Sequence, residues 1–235
     1  MARHGKQYRQ AFEKIDRAEA YQPVDALRLV KESAYAKFDE TVEVHIRLGV
    51  DPRHAEQQVR ETVMMPHGLG KSVVVVVFAE GDAARAAKEA GADFIADADV
   101  IKQIEGGWTG FDATVATPQM MGTVGKLGRV LGPRGLMPNP KAGTVVPDDD
   151  LARVIDELKS GRVEFRVDRT ANLHVPIGKV SFELEALSGN FAALMEAVKR
   201  ARPASAKGIY VRSVTISSTM GPGVRVDPMA AQTLG

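Results

Sequence analysis

The sequence predicts an α/β protein of two domains: a discontinuous α+β domain built from both ends of the chain, and a three-layer α/β/α domain inserted into it. Three observations carry that expectation. Val42, Val44, Ile46, Leu48 and Val50 alternate with Glu43, His45, Arg47 and Gly49, the period of two of a strand with one buried and one wet face. Ser72 to Ala79 is instead a continuous run rich in valine and is followed by an alanine-rich helical stretch, as a parallel sheet covered on both faces requires. After Gly161 the alternation returns, with Val163, Phe165 and Val167 facing one way and Arg162, Glu164, Arg166 and Asp168 the other.

The elements follow in order. Residues 6–16 and 23–36 read as amphipathic helices, the second opened by Pro23, whose missing N–H costs nothing in a first turn. The alternating strand spans 41–50, and a second strand covers 59–65 and stops at Pro66. The inserted stretch gives a strand at 72–79, a helix at 82–90, a short strand at 94–96, a helix at 100–104 and a strand at 113–116. A helix from Leu151 to Lys159 closes it, and Asp148, Asp149 and Asp150 at its start complement the helix dipole, a better account than a metal cluster. Beyond Gly161 come strands at 163–167 and 173–177, a long helix at 182–200 and a final strand region over 209–216. The tail after Asp227 reads as disordered. The expected boundaries are therefore 1–67 with 159–235 for the outer α+β domain, and 68–158 for a Rossmann-like insertion. Pro66, Gly68 and Gly70 on one side, and Ser160 with Gly161 on the other, form a two-stranded connection.

Composition narrows the function. The 235 residues carry no cysteine, which removes disulfides, thiolate catalysis and cysteine-bound zinc and suits a reducing cytoplasm. The start is charged and amphipathic, and the longest apolar run, Val73 to Ala79, falls far short of the roughly 20 residues a membrane span needs, so no membrane is expected. The net charge of +1 hides an uneven distribution. Residues 1–67 carry 11 basic and 11 acidic side chains, residues 68–158 carry 9 and 13, and residues 159–235 carry 11 and 6, a surplus of five positive charges in the last third. Lys199, Arg200, Arg202, Lys207, Arg212 and Arg225 follow one another with no acid between Glu196 and Asp227. Alone such a run is most simply a solvated basic surface; gathered on one face it would neutralise several phosphates.

Enzymatic motifs do not form. Gly70-Lys71-Ser72 resembles the end of a phosphate-binding loop, but Met65 stands where the first glycine belongs and the segment precedes a strand instead of opening a helix. His4, His45, His54, His67 and His174 have no metal-ligand spacing and no triad context. No catalytic residue, cofactor or metal is expected. Met121 to Val145 threads Lys126, Arg129, Arg134 and Lys141 among glycines and prolines with no acid from Asp112 to Asp148, so it is either a phosphate-contacting loop or a loop packed on its own domain. Three outer segments share another chemistry: Lys37-Phe38-Asp39-Glu40-Thr41, Arg166 to Thr170 with His174, and Ser213 with Ser217 to Gly223. Each mixes donors and acceptors with an exposed apolar side chain at a strand end, the equipment for ribose 2′-OH contacts and for stacking on unpaired bases. A purely protein-binding module is the remaining alternative, and a nucleotide-using enzyme the weaker one.

Gly132-Pro-Arg-Gly-Leu-Met-Pro-Asn-Pro-Lys-Ala-Gly-Thr-Val145, with KFDETVE at 37–43 and TMGPGVRV at 219–226, closely resembles the bacterial family of large-subunit ribosomal protein L-one (universal uL-one), the protein of the mobile side stalk. The match runs in order over nearly the whole chain. The resemblance implies a non-enzymatic ribosomal protein, monomeric when free. Its implied partners are stalk-region rRNA of the large subunit, tRNA leaving the exit site, and the mRNA of its own operon, which it represses. It also implies RNA contacts at Lys37, Phe38, Glu40, Thr41, Arg166, Asp168, Arg169, His174, Ser213, Thr219, Met220 and Gly221. Where the family often has lysine this chain has Arg169, which keeps the charge and changes its geometry.

Overall fold

A computed structural model describes residues 5–234; His4 lies outside them. Along the chain run α1 (Lys6–Glu13), α2 (Pro23–Ser33), β1 (Thr41–Leu48), β2 (Arg60–Met64), β3 (Val75–Phe78), α3 (Gly81–Glu89), β4 (Phe94–Ile95), α4 (Ala98–Glu105), β5 (Ala113–Ala116), α5 (Met121–Lys126), α6 (Gly128–Leu131), α7 (Leu151–Ser160), β6 (Arg162–Arg166), β7 (Asn172–Lys179), α8 (Leu184–Arg200), β8 (Val211–Ser218), β9 (Val224–Val226) and α9 (Pro228–Thr233). They form two compact units, one from residues up to Gly70 together with Val163 onward, the other from Lys71 to Arg162.

In the first unit a four-stranded sheet has the order β7-β1-β8-β9, antiparallel throughout, and β2 pairs with β6 in a separate ribbon. The alternation of β1 has its physical cause here. Val42, Val44, Ile46 and Leu48 are buried in one core with Leu173, Val175 and Ile177 of β7 and Val214 and Ile216 of β8. Helices cover that face. Leu187, Phe191, Leu194, Met195 and Val198 make an unbroken buried stripe on α8 at spacings of three and four, and Ala26, Leu27 and Val30 do the same on α2. The opposite sheet face carries polar side chains.

The second unit explains why its strands do not alternate. β4-β3-β5 is wholly parallel, and β3 is buried on both sides. Val75 and Val77 pack with Ala87 of α3 and Leu151, Val154, Ile155 and Leu158 of α7, while Val76 and Phe78 pack with Ile104, Phe111, Val124, Leu127 and Leu131. Three layers result, and α/β is the fold class of the chain.

Several expectations need correction. Residues 121–131 are helical, not loop: Val124, Leu127 and Leu131 stand three and four apart on the core side, and that spacing overrides the glycines between them. Gly132 is needed there because a Cβ would lie 2.6 Å from the carbonyl oxygen of Gly128. Of the two readings of this segment, its apolar residues realise packing on their own unit, with Lys126, Arg129, Arg134 and Lys141 exposed around it. The helix expected to reach residue 36 ends at Ser33, because the carboxylate of Glu40, a few residues further along, takes the amides of Tyr35 and Ala36. The tail is ordered as far as it is described: α9 is capped by the Asp227 side chain, which accepts from the Met229 amide at 2.9 Å, and Ala231 is fully buried. Replacing Asp227 by alanine should cost about 1 kcal/mol, read as a lower urea midpoint with an unchanged m-value.

Candidate nucleic-acid interface

The uncovered face of the four-stranded sheet is built from the outward members of each strand. On β1 these are Glu43, His45 and Arg47; His45 lies directly opposite His174 of β7 on one side and Thr215 of β8 on the other, with Arg47 opposite Asn172 and Ser213. Arg225 of β9 lies opposite Thr215 and extends the strip. Tyr8, Phe12, Ile15 and Arg17 from and after α1 line a groove of about 380 Å³ with Ser213, Thr215, Gly223 and Arg225. The predicted residues gather at the two ends of this face, separated along β1 by roughly 20 Å of strand.

At one end Glu40 organises everything around it. Its side chain is buried, at 1% exposure. Oε1 accepts from the amides of Tyr35 (3.1 Å) and Ala36 (2.8 Å), and Oε2 from the amide of Met220 (3.0 Å). Burial alone would push this carboxyl up; the Ser218 hydroxyl beside it and the three amide hydrogen bonds together outweigh that and hold the group below its ordinary value. Glu40 is thus placed to position the loops, and no oxygen of it faces solvent as a contact would need. Thr219 Oγ1 accepts from the Thr41 amide at 2.9 Å, Tyr35 donates its hydroxyl to the Met220 carbonyl at 2.8 Å, and Asp39 accepts from the Ser181 amide and hydroxyl. On this frame Phe38 (57% exposed) and Met220 (49%) project apolar side chains into solvent, with Lys37 exposed beside Phe38. Gly221 packs against Ser218 so closely that any Cβ would collide with its hydroxyl.

At the other end the turn from Asp168 to Asn172 is held by one carboxylate. Asp168 Oδ1 accepts from the amides of Thr170 and Asn172 and from the Thr170 hydroxyl, each at 2.8 Å. Desolvation raises its pKa, and those hydrogen bonds more than reverse that, bringing it down to about 2. Ala171, with φ of 66°, closes the turn in the left-handed region. Arg166 and Arg169 are exposed and, with Pro52, Arg53, Gln58 and Asp168, line a cavity of about 530 Å³.

Both carboxylates have folded values below their unfolded ones, so protons bind the unfolded chain first. Their contribution is complete above about pH 4.5 and is lost as pH falls toward 2. Unfolding free energy should decline through that window, and Asp168→Asn should flatten its lower part, between about pH 4 and pH 2, in urea titrations at fixed pH.

The structure therefore brings Lys37, Phe38, Glu40 and Thr41 together with Thr219, Met220 and Gly221, and sets Arg166, Asp168 and Arg169 around a second cluster. His174 and Ser213 stand on the sheet face between. Sequence reasoning missed Tyr35, which ties the first cluster; His45, which the sequence marks with the other histidines as a surface or RNA-contacting residue, stands on the wet side of β1. In the second unit the turns at the carboxyl ends of the strands carry Glu80, Asp82, Asp97 and Asp99, which repel a phosphate where a dinucleotide would bind. Among the described residues no cluster of histidines and acids could hold a metal, and no helix is long and apolar enough to cross a membrane.

A parallel three-layer unit spliced into an α+β unit with an open polar sheet face defines the class, and comparison with known proteins identifies it. The Ribosomal protein L1p/L10e family model matches residues 30–222, and the chain belongs to that family. It is a ribosomal protein, structural and not enzymatic, and its place is with the ribosome in the cytoplasm. Among its relatives, the large ribosomal subunit protein uL1 of Chloroflexus aurantiacus is 60% identical over 235 residues, covering 100% of this chain and 99% of that protein. The protein of the same name from Chloroflexus aggregans is 59% identical with the same coverage.

Proposed function

We propose that this chain is a constituent of the large ribosomal subunit that binds the mobile side-stalk region of its rRNA directly. The contacts are made through Lys37, Phe38, Thr41, Thr219, Met220 and Gly221 at one end of the open sheet face, Arg166, Asp168 and Arg169 at the other, and His174 and Ser213 between. Glu40 holds the first cluster in place. One observation carries the reading: two exposed apolar side chains, Phe38 and Met220, stand on loops locked together by a single buried carboxylate. Exposed apolar groups on a rigid polar frame lose little entropy when they stack on unpaired bases, and the neighbouring hydroxyls and amides suit ribose and base edges. On the ribosome the same protein assists release of deacylated tRNA from the exit site. Free and monomeric, it represses its own operon by binding an mRNA structure that imitates the rRNA site.

The test is direct titration of a side-stalk rRNA fragment at several salt concentrations. Tight binding that weakens linearly in log–log form as salt rises, with an unrelated duplex bound far more weakly, is the expected result. Equal affinity for both RNAs would overturn the reading.

A further inference from the structure

His45 is not among the contacts proposed above, yet it sits at the middle of the open face with both ring nitrogens engaged. Its Nδ1 lies 2.8 Å from Nδ1 of His174, across the β1–β7 pair, and its Nε2 lies 3.0 Å from Ser217 Oγ on β8. On its other side His174 turns Nε2 toward Asp168 Oδ2, 3.7 Å away. We propose that His45 is a positioning residue for RNA binding: with His174 it forms a pair that holds one shared proton beyond the neutral state, and that proton sets the charge and donor pattern of the RNA-facing sheet. The inference rests on the rRNA-binding reading.

The proton inventory follows from the geometry. Two nitrogens at 2.8 Å need one hydrogen between them, since two lone pairs or two N–H groups facing each other repel. In the neutral pair His45 Nδ1–H donates to His174, Ser217 donates its hydroxyl to His45 Nε2, and His174 keeps its hydrogen on Nε2, toward the Asp168 carboxylate. The opposite tautomer would point a lone pair at that carboxylate. When one proton is added it enters at His45 Nε2 as the Ser217 hydroxyl turns round to accept. The hydrogen between the rings then passes to His174. His45 ends neutral, and His174 ends as an imidazolium between His45 and Asp168. A second proton would set two N–H groups head to head and is excluded.

The surroundings agree with that division. Burial is the largest influence on His45 and lowers its pKa, the charge on His174 lowers it further, and Glu43 on the same strand opposes both. The other charged groups on the surrounding elements are Arg47 on β1, Asp168 at the start of the β7 turn, Arg225 on β9 beyond Thr215, Arg17 following α1, and Arg212 at the bulge of β8; level with the pair β8 presents the hydroxyls of Ser213, Thr215 and Ser217. A polyanion on this face favours the protonated pair. RNA binding should therefore take up one proton, and affinity should rise as pH falls, by up to about tenfold per pH unit where the free pair is still neutral.

The experiment measures the dissociation constant of the full chain for the side-stalk rRNA fragment from about pH 5.5 to about pH 8.5 at constant ionic strength. Wild type, His45→Leu and His45→Asn are compared, and ring-nitrogen NMR of the free proteins follows the tautomers. Wild type is expected to strengthen on acidification while its two rings together gain one proton, with His45 passing between its two neutral tautomers. His45→Asn, whose amide oxygen can accept from His174 Nδ1–H, should keep tight binding and its pH dependence. His45→Leu should bind more weakly, with His174 free to adopt either tautomer. Wild-type binding that is matched at every pH by His45→Leu, or two rings that each become imidazolium above about pH 5.5, overturns the inference alone. Absence of rRNA binding by wild type at every pH overturns the rRNA reading, and this inference with it.

Discussion

Replacing Glu40 by alanine should be the most damaging single change on the candidate interface, costing about 3 kcal/mol or more in stability and roughly fivefold to a hundredfold in rRNA affinity. The stability loss comes from three amides, those of Tyr35, Ala36 and Met220, left without an acceptor at a site with 1% exposure. A fully buried donor so stranded costs about 1–3 kcal/mol; these amides are partly buried, so each costs toward the lower end as water enters. The affinity loss has a separate origin. Without the carboxylate the 34–40 and 219–221 loops keep only the Tyr35–Met220 and Thr41–Thr219 hydrogen bonds, and RNA must supply much of the ordering of Phe38 and Met220 itself. At about 0.5–1.5 kcal/mol per immobilised side chain, two such groups amount to about 1–3 kcal/mol, roughly fivefold to a hundredfold. Glu40→Gln should fall between, because its amide nitrogen cannot accept and can replace only part of the set. Denaturant melts and RNA titration read the two effects independently. A Glu40→Ala chain that binds RNA normally would show that the loops need no tether.

Changes at Thr219 and Met220 should separate specific from non-specific binding. Thr219→Ala removes the acceptor of the Thr41 amide, and Met220→Ala removes an exposed side chain with little role in the core. The second should leave the melting midpoint nearly unchanged, since exposed apolar truncations shift stability by about 0.5 kcal/mol or less. Each should weaken the side-stalk rRNA fragment by about 1–3 kcal/mol, roughly tenfold to a hundredfold, if base stacking and ribose contacts concentrate here. Affinity for an unrelated duplex, which depends on phosphate neutralisation, should not move. If both variants bind the specific RNA like wild type, this end of the sheet is not the interface.

Periodicity is legible in the sequence, whereas capture of backbone or ring groups by a side chain is not, whether the two lie close along the chain, as with Glu40 and Ala36, or far apart, as with His45 and His174. The alternation of β1 and the unbroken valines of β3 announced one-sided and two-sided burial, and the cores bear this out. The end of α2 was misplaced because Glu40 draws the amides of Tyr35 and Ala36 into a turn, a competition that helix propensity does not contain. The resemblance puts the same residue among the RNA contacts, since nothing local marks a carboxylate that folding will bury. In 121–131 glycine and proline composition masked the spacing of Val124, Leu127 and Leu131, which was there to be counted. Asp227-Pro228 was an equally available start signal for α9. His45 could be assigned to the wet face of β1, but its partner His174 is 129 residues away and emerges only with the strand register.

The most direct test of the central claim is to add this chain to naked large-subunit rRNA and map which nucleotides become protected from hydroxyl radicals. Protection confined to the side-stalk region, lost with Met220→Ala and retained with a substitution at exposed Arg85 of the second unit, is the predicted result. Protection scattered across the rRNA, or a side-stalk footprint that survives the loss of both Phe38 and Met220, would contradict it.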